Sequence, residues 1–212
     1  QLSESDADPL LVADHRKIFF KPSVTRVLNT EFTTTARYDL VVAVTGLRNN
    51  PLNLNVNDRA YALREFHVDE LTDTDDDGLA DAGTYSTIEG PSNAQPGTLF
   101  DATDLIVLDP KVPSADLDAL QVADGWFINL AASGEKALAA PELIAGTLLF
   151  TSYLPEGVLD VSSCSLAEGS GLLYGVDVLT GGVAFNFDDA DGEEELTLSD
   201  KTYTLGAGIP SS

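Results

Sequence analysis

The sequence predicts an all-β protein, a β-propeller or part of one, with about four blades' worth of antiparallel strands. Three observations lead to that class. The apolar stretches are short and separated by turns rich in Gly, Pro and Asn, the pattern of sandwiches, barrels and propellers. Leu173-Tyr174-Gly175-Val176-Asp177, followed by Thr180-Gly181-Gly182 and another apolar run, has the form of a blade hairpin. In such hairpins the aspartate and the Thr-Gly pin the turn while apolar neighbours pack between blades. Finally, at about 40–50 residues per blade, 212 residues supply about four blades. Four blades do not close comfortably into a ring. Residues 1–212 are therefore expected to form a single propeller-type domain, or a fragment of a larger propeller, with open strand edges that invite pairing with other segments.

Residues 1–14 are polar and acidic and read as an irregular entry. Residues 17–27 carry Ile18, Phe19, Phe20 and Val24 but are broken by Pro22, which suits an edge strand or a bend. Residues 38–45 (YDLVVAVT) are β-branched and nearly continuously apolar, as in a strand buried on both faces, and Gly46 ends them. An Asn-rich loop follows, and residues 59–66 (RAYALREF) pair back as the next strand. Residues 89–97 (EGPSNAQPG) are turn-rich. Residues 104–109 suit a short strand, and 114–120 a short helix with Ser114 as N-cap. Residues 125–131 (GWFINLA) form a strand and 133–136 a turn, and 137–144 lead to a tight turn at Ala145-Gly146. Strand 147–153 (TLLFTSY), a loop, and strand 172–178 come next. Residues 179–182 turn into a partner strand at 183–187. A second acidic loop at 188–195 lacks the spacing of a metal loop. A last strand covers 201–205.

The formal net charge is −24, from 35 acidic and 11 basic residues. Nucleic acid and anionic lipid are polyanions, so both are excluded as direct partners by charge. No run of 18 apolar residues offers a membrane span. No signal peptide is visible and Met is absent, so a mature fragment or a piece of a longer chain is expected. Cys164 is alone and can form neither an internal disulfide nor a zinc site. With only His15 and His67 to serve it, an unpaired thiol or a bond to a Cys elsewhere is the expected state. His67 reads as a strand-end hydrogen-bonder.

The candidate site is Asp73-Thr74-Asp75-Asp76-Asp77-Gly78-Leu79-Ala80-Asp81. Carboxylates at loop positions 1, 3, 5 and 9 converge on one point when the backbone turns sharply at the position 6 glycine. Asp73, Asp75 and Asp77 would bind calcium directly. Leu79 would bind through its carbonyl, and Asp81 directly or through water. Position 12 of an EF-hand loop is a bidentate Glu, whereas Thr84 stands here. Gly83, Tyr85 and Thr87 do not continue as a helix. The expectation is a nine-residue calcium loop outside a helix-loop-helix pair; the competing reading is a solvated acidic turn.

Several stretches, taken in order, resemble the C-terminal propeller of the PilY/PilC family, calcium-binding proteins associated with type IV pilus tips. They are RKIFFKPSVT (16–25), YDLVVAVTGLRNNP (38–51), NDRAYALRE (57–65), DGWFINLAASGEKALAAPELIAGTLLFTSYLP (124–155), CSLAEGSGLLYGVDVLTGG (164–182) and GAGIPSS (206–212). The family loop near Gly46-Leu47-Arg48-Asn49-Asn50-Pro51 usually carries two acids and a histidine, which this chain lacks. The resemblance implies a late part of a much larger secreted or surface-exposed protein, outer-membrane-associated or at the pilus tip. It implies a non-enzymatic role in pilus assembly and in adhesion to a host or abiotic surface. Implied partners are the rest of the same protein or adjoining subunits, together with pilin and minor pilins. Calcium in such family loops is linked to pilus function, and the matching positions are Asp73, Asp75, Asp77, Leu79 and Asp81.

Two other functions compete. The hairpin at 173–181 also resembles repeats of pyrroloquinoline-quinone dehydrogenases, whose cofactor stacks on a Trp. Trp126, the sole tryptophan, sits in a strand expected to pack between blades instead. A purely structural cell-surface module is the third reading.

Overall fold

The structure, a computed structural model, describes residues 16–29, 36–65, 99–107, 109, 112–130, 132, 134–155, 169–187 and 195–208. Ten strands and one α-helix lie among them. The first sheet comprises β1 (Ser23–Asn29), β2 (Ala36–Val44), β3 (Arg59–Glu65), β4 (Phe100–Asp101) and β5 (Gly125–Asn129), in the order β1-β2-β3-β5-β4. The second comprises β6 (Lys136–Ala137), β7 (Glu142–Ile144), β8 (Thr147–Leu154), β9 (Ser170–Asp177) and β10 (Thr202–Ala207), in the order β10-β9-β8-β6, with β7 also on β8. All pairings are antiparallel except that of β4 with β5. The all-β class holds. Neither sheet closes on itself, and the first and last described strands lie in different sheets.

The two sheets bury a common face. Alternate residues of a strand point to one side, and here Leu40, Val42 and Val44 of β2, Ala60 and Ala62 of β3, and Trp126 and Ile128 of β5 meet Leu148 and Phe150 of β8 and Tyr174 and Val176 of β9. The intervening residues Tyr61 and Phe127 form a second cluster with Leu99 on the opposite face of the first sheet. That sheet is therefore covered on both sides at β3 and β5, which explains why its strands lack a clean polar alternation. The edge strand β1 begins directly after Pro22, so the missing N–H falls outside the ladder.

Helix α1 (Ala115–Val122) starts at Ser114, whose Oγ accepts the Leu117 N–H at 3.1 Å. Its far end is closed by Arg64 of β3, whose Nη1 donates to the carbonyls of Leu120 at 2.7 Å and Ala123 at 3.2 Å. Carbonyls at a helix C-terminus have no internal donor, and a cation suits that end of the dipole.

Three expectations change. Residues 104–107 are not a strand: the place beside β5 is taken by Phe100 and Asp101, and the Asp101 carboxylate then turns the chain by accepting the Thr103 N–H at 3.0 Å. Residues 137–144 split into β6 and β7 around Pro141, which cannot donate to the ladder. The partner strand at 183–187 reduces to one bridge between Val176 and Val183, because Phe185 and Phe187 fold over the bare backbone of Gly175.

The expected turn after β9 does form. Asp177 Oδ1 accepts from the Leu179 N–H at 3.0 Å, the Thr180 N–H at 2.9 Å and the Thr180 hydroxyl at 2.8 Å. Gly181 has φ +76°, and a Cβ there would stand 2.9 Å from Cδ2 of Trp126 and 2.7 Å from Cβ of Ala102. Trp126 in turn donates its Nε1–H to the Val178 carbonyl at 3.0 Å. The prediction is that Gly181→Ala destabilises by about 2–4 kcal/mol, from overpacking plus the left-handed φ. Asp177→Ala should cost about 1–2 kcal/mol. Urea denaturation measures both; an unchanged midpoint for Gly181→Ala would refute this account of the joint.

Candidate functional site

The calcium-loop residues Asp73, Asp75, Asp77, Leu79 and Asp81 lie outside the described residues, as do Thr84, His15, His67 and Cys164. The structure does place the two ends of the segment that carries the loop. Leu63 near the end of β3 lies opposite Gly125, and Phe100 at the start of β4 lies opposite Trp126. Glu65 and Leu99 therefore emerge at the same end of the first sheet, beside the start of β5. They sit on either side of one strand, about 10 Å apart at ordinary strand spacing. Residues 66–98 thus leave and re-enter at one end. Both anchor points are rigid: the Arg64 N–H bonds the Asp124 carbonyl at 2.8 Å, and Leu99 is fully buried.

Two polar centres stand among the described residues. The first spans the joint between the sheets. Glu135 is 1% exposed, and its Oε1 accepts the Ser152 hydroxyl at 2.5 Å and the Tyr174 hydroxyl at 2.7 Å. Its Oε2 accepts the Ala132 N–H at 3.2 Å. Lys136 beside it is fully buried, and its Nζ donates to the carbonyls of Asn53, at 2.9 Å, and Gly134. Asp58, at the entry to β3, accepts the Thr45 hydroxyl at 2.8 Å through Oδ1, and its Oδ2 is buried without a hydrogen-bond donor. Burial pushes the Asp58 carboxyl above its ordinary value, opposed by the Thr45 hydrogen bond and the charges of Lys136 and Arg16. Burial also lowers Lys136, opposed by Asp58 and Glu135. Buried charges persist when paired and hydrogen-bonded, and this enclosed set works as a cross-link between sheets.

The second centre is open. A cleft of about 470 Å³ is walled by Phe100, Leu105, Ile106 and Val107 and rimmed by the carboxylates of Asp101, Asp104 and Asp116. Behind its wall Lys201 donates to the carbonyls of Ala102 and Thr103, the latter at 2.8 Å. Burial lowers the Lys201 ammonium to about 8, against the opposing charges of Asp104 and Asp101. Chemically the cleft offers oxygen acceptors and an apolar wall.

Among the described residues no group of three or more His, Cys, Asp or Glu side chains is arranged to hold a metal. No helix among them is long and apolar enough to cross a membrane. Trp126 is fully buried, with the Gly181 backbone and Ala102 against its ring, so no face of it is open to a stacking cofactor. Residues 133–136 read as a turn in the sequence, and nothing there marked Glu135 and Lys136 as buried ions. The available signal was a charged pair set between an apolar strand and an Ala-Leu-Ala-Ala run.

No family model and no curated protein matches the sequence. Among solved structures the chain is similar to the C-terminal domain of PilY1 from Pseudomonas aeruginosa, with a TM-score of 0.44 and 15% sequence identity. The match covers 80% of this chain and 32% of that one, so the chain spans about a third of its length.

Lys201 generates a pH prediction. Its folded value, about 8, lies below the ordinary lysine value of about 10.4. Between the two the unfolded chain holds more protons, so stability rises with pH through that window, and the burden of the buried charge is complete below pH 8. Compared from pH 7 to 10, the urea midpoint of the wild type should rise relative to that of Lys201→Met, which lacks the titrating group. Parallel pH dependences in the two proteins would contradict the assignment.

Proposed function

We propose that this chain is a calcium-binding, non-enzymatic module of a surface protein of the PilY/PilC type that supports type IV pilus assembly and adhesion. The observation that carries the reading is the loop at 73–81, with acids at positions 1, 3, 5 and 9 and glycine at 6. The ordered set of family-like stretches across 16–212 supports the family, and the two open sheets suit a part of a larger propeller. Attachment of the loop-bearing segment at one end of a rigid sheet suits an element whose shape is set by a metal. On this reading the protein is extracellular, at the pilus tip or the outer membrane. Its partners are the remainder of its own chain or adjoining subunits, pilin and minor pilins, and the surface to which the pilus attaches.

Without calcium the four carboxylates repel one another; with it, the charge is neutralised and the turn at Gly78 is held. Binding to the folded state alone stabilises it by about 2.7 kcal/mol at a hundredfold excess over the dissociation constant. The expected affinity is about 10⁻⁵ to 10⁻³ M, since the bidentate acid at position 12 is replaced by Thr84. Magnesium, which demands a smaller octahedral shell, should substitute poorly. Melting scans in EDTA, calcium or magnesium test this on the wild type and on Asp75→Ala combined with Asp77→Ala. Calcium should raise the melting temperature of the wild type alone. An equal rise in both proteins removes the metal from this loop.

The wider role is tested in cells. Deletion of the gene should reduce surface pilus counts and twitching, and the Asp75→Ala, Asp77→Ala variant should fail to restore them. Full restoration by that variant separates calcium from the pilus role; normal pili in the deletion strain leave only a structural surface module.

A further inference from the structure

We propose that the connection 47–57 between β2 and β3 is a latch closed by acid: it covers the buried ions at that end of the sheets, and a proton on Asp58 favours its closed form. The inference does not depend on the pilus reading. Two buried cations fasten the connection from beneath. Arg16 donates through Nε to the Asn57 carbonyl at 2.6 Å, and Lys136 donates through Nζ to the Asn53 carbonyl at 2.9 Å. Leu54 rests on the bare backbone of Gly134, where a Cβ would stand 2.6 Å from Cδ2 of Leu54. Val56 is buried, whereas Arg48, Asn49 and Asn50 are exposed and Leu52 is 53% exposed.

Within the connection the backbone bonds are local, from the Asn50 N–H to the Leu47 carbonyl and from the Asn53 N–H to the Asn50 carbonyl, both at 3.1 Å. They can persist while the whole connection lifts. Such a segment opens at a lower free energy than the strands that flank it. Lifting it removes the Asn53 carbonyl from Lys136 and the Asn57 carbonyl from Arg16, and it admits water to Asp58, the next residue in the chain.

Asp58 gives the latch its sign. It is 1% exposed; Oδ1 accepts the Thr45 hydroxyl at 2.8 Å, and Oδ2 meets no donor. A carboxylate left half-satisfied away from water costs more than a neutral carboxyl. The charged groups that act on it are Lys136 of β6 and Arg16 of the segment before β1. Glu135 acts on Lys136 and has its own donors in Ser152, Tyr174 and the Ala132 N–H. Arg59, next along β3, turns instead to Asn129, with Nε on Oδ1 at 2.7 Å. The Thr45 hydroxyl and the two cations favour the charged form, and desolvation, the larger effect, outweighs them. With the latch open, Asp58 regains water and its ordinary value of 3.8, so the closed form holds the proton more tightly. Acidification from the raised value down to 3.8 therefore closes the latch, and a rise in pH releases it. Lys136, lowered by burial, responds in the opposite sense, and a variant at Asp58 separates the two.

The test is hydrogen exchange of the full chain, read on fragments covering 47–57 and, as a reference, 40–44, with rates corrected for intrinsic exchange. As the pH is lowered from 8 to 4, opening of the 47–57 fragment in the wild type should fall by up to about tenfold per pH unit while one group titrates. The reference fragment should not follow. Asp58→Asn should keep 47–57 protected across the range, without that dependence. Thr45→Val removes the hydroxyl that favours the charged form and should move the transition to higher pH. Opening that increases on acidification, or the same pH profile in the wild type and Asp58→Asn, overturns the proposal. If Asp58→Asn does not fold, an unshifted transition in Thr45→Val overturns it as well.

Discussion

The structure depends on one joint, where the indole of Trp126 passes from the first sheet into the turn that follows β9. Each component of the joint constrains the next. Asp177 holds the turn with one carboxylate oxygen that accepts three donors. The turn aims the Val178 carbonyl at the indole N–H and lays Gly181 flat on the ring. A large aromatic side chain brings much buried area, and its polar edge needs a partner when water is excluded. Here the partner belongs to the opposite sheet, so burying the indole and registering the sheets are the same event.

Polar groups at the margins of the core add direction to that contact. Glu135, Lys136 and Asp58 remove three charges from water where the second sheet meets the ends of β2 and β3. Such groups contribute little net stability compared with apolar residues, because desolvation offsets their attraction. Each must nevertheless find its donor or acceptor, so a displaced sheet would leave a buried ion unmatched. Arg64 acts similarly on the other flank, joining β3 to the end of α1. Apolar packing holds the sheets together, and the buried ions restrict how they can sit.

Much of the acidity of the chain falls in sequence runs between the described strands. The loop at 73–81 belongs to a segment whose ends both emerge beside the start of β5. The run at 188–195 is closed at its base by Asp200.

The sequence by itself determined the all-β class, strands β2, β3, β5, β8 and β9, the Ser114 cap, the Asp177-Thr180-Gly181 turn and the burial of Trp126. These follow from local rules: period-two patterning, capping geometry and the few backbone shapes that a turn admits. The candidate calcium loop is a reading of the same local kind, confined to nine consecutive residues, and it lies outside the described residues. Tertiary structure decided what depends on distant segments. The run at 104–107 is as apolar as a strand, yet Phe100 and Asp101 occupy the place beside β5, and the Ile106 carbonyl bonds Val183 instead. Residues 183–187 gave up their ladder because Gly175 left room for two phenylalanine rings. Asp58 and Lys136 lie far apart in sequence, and nothing local to either shows that the charge of one acts on the other. A pattern reports what a segment can pair with. Which partner it takes depends on the competition for a limited number of edges and buried faces, and that competition exists only once the chain has folded.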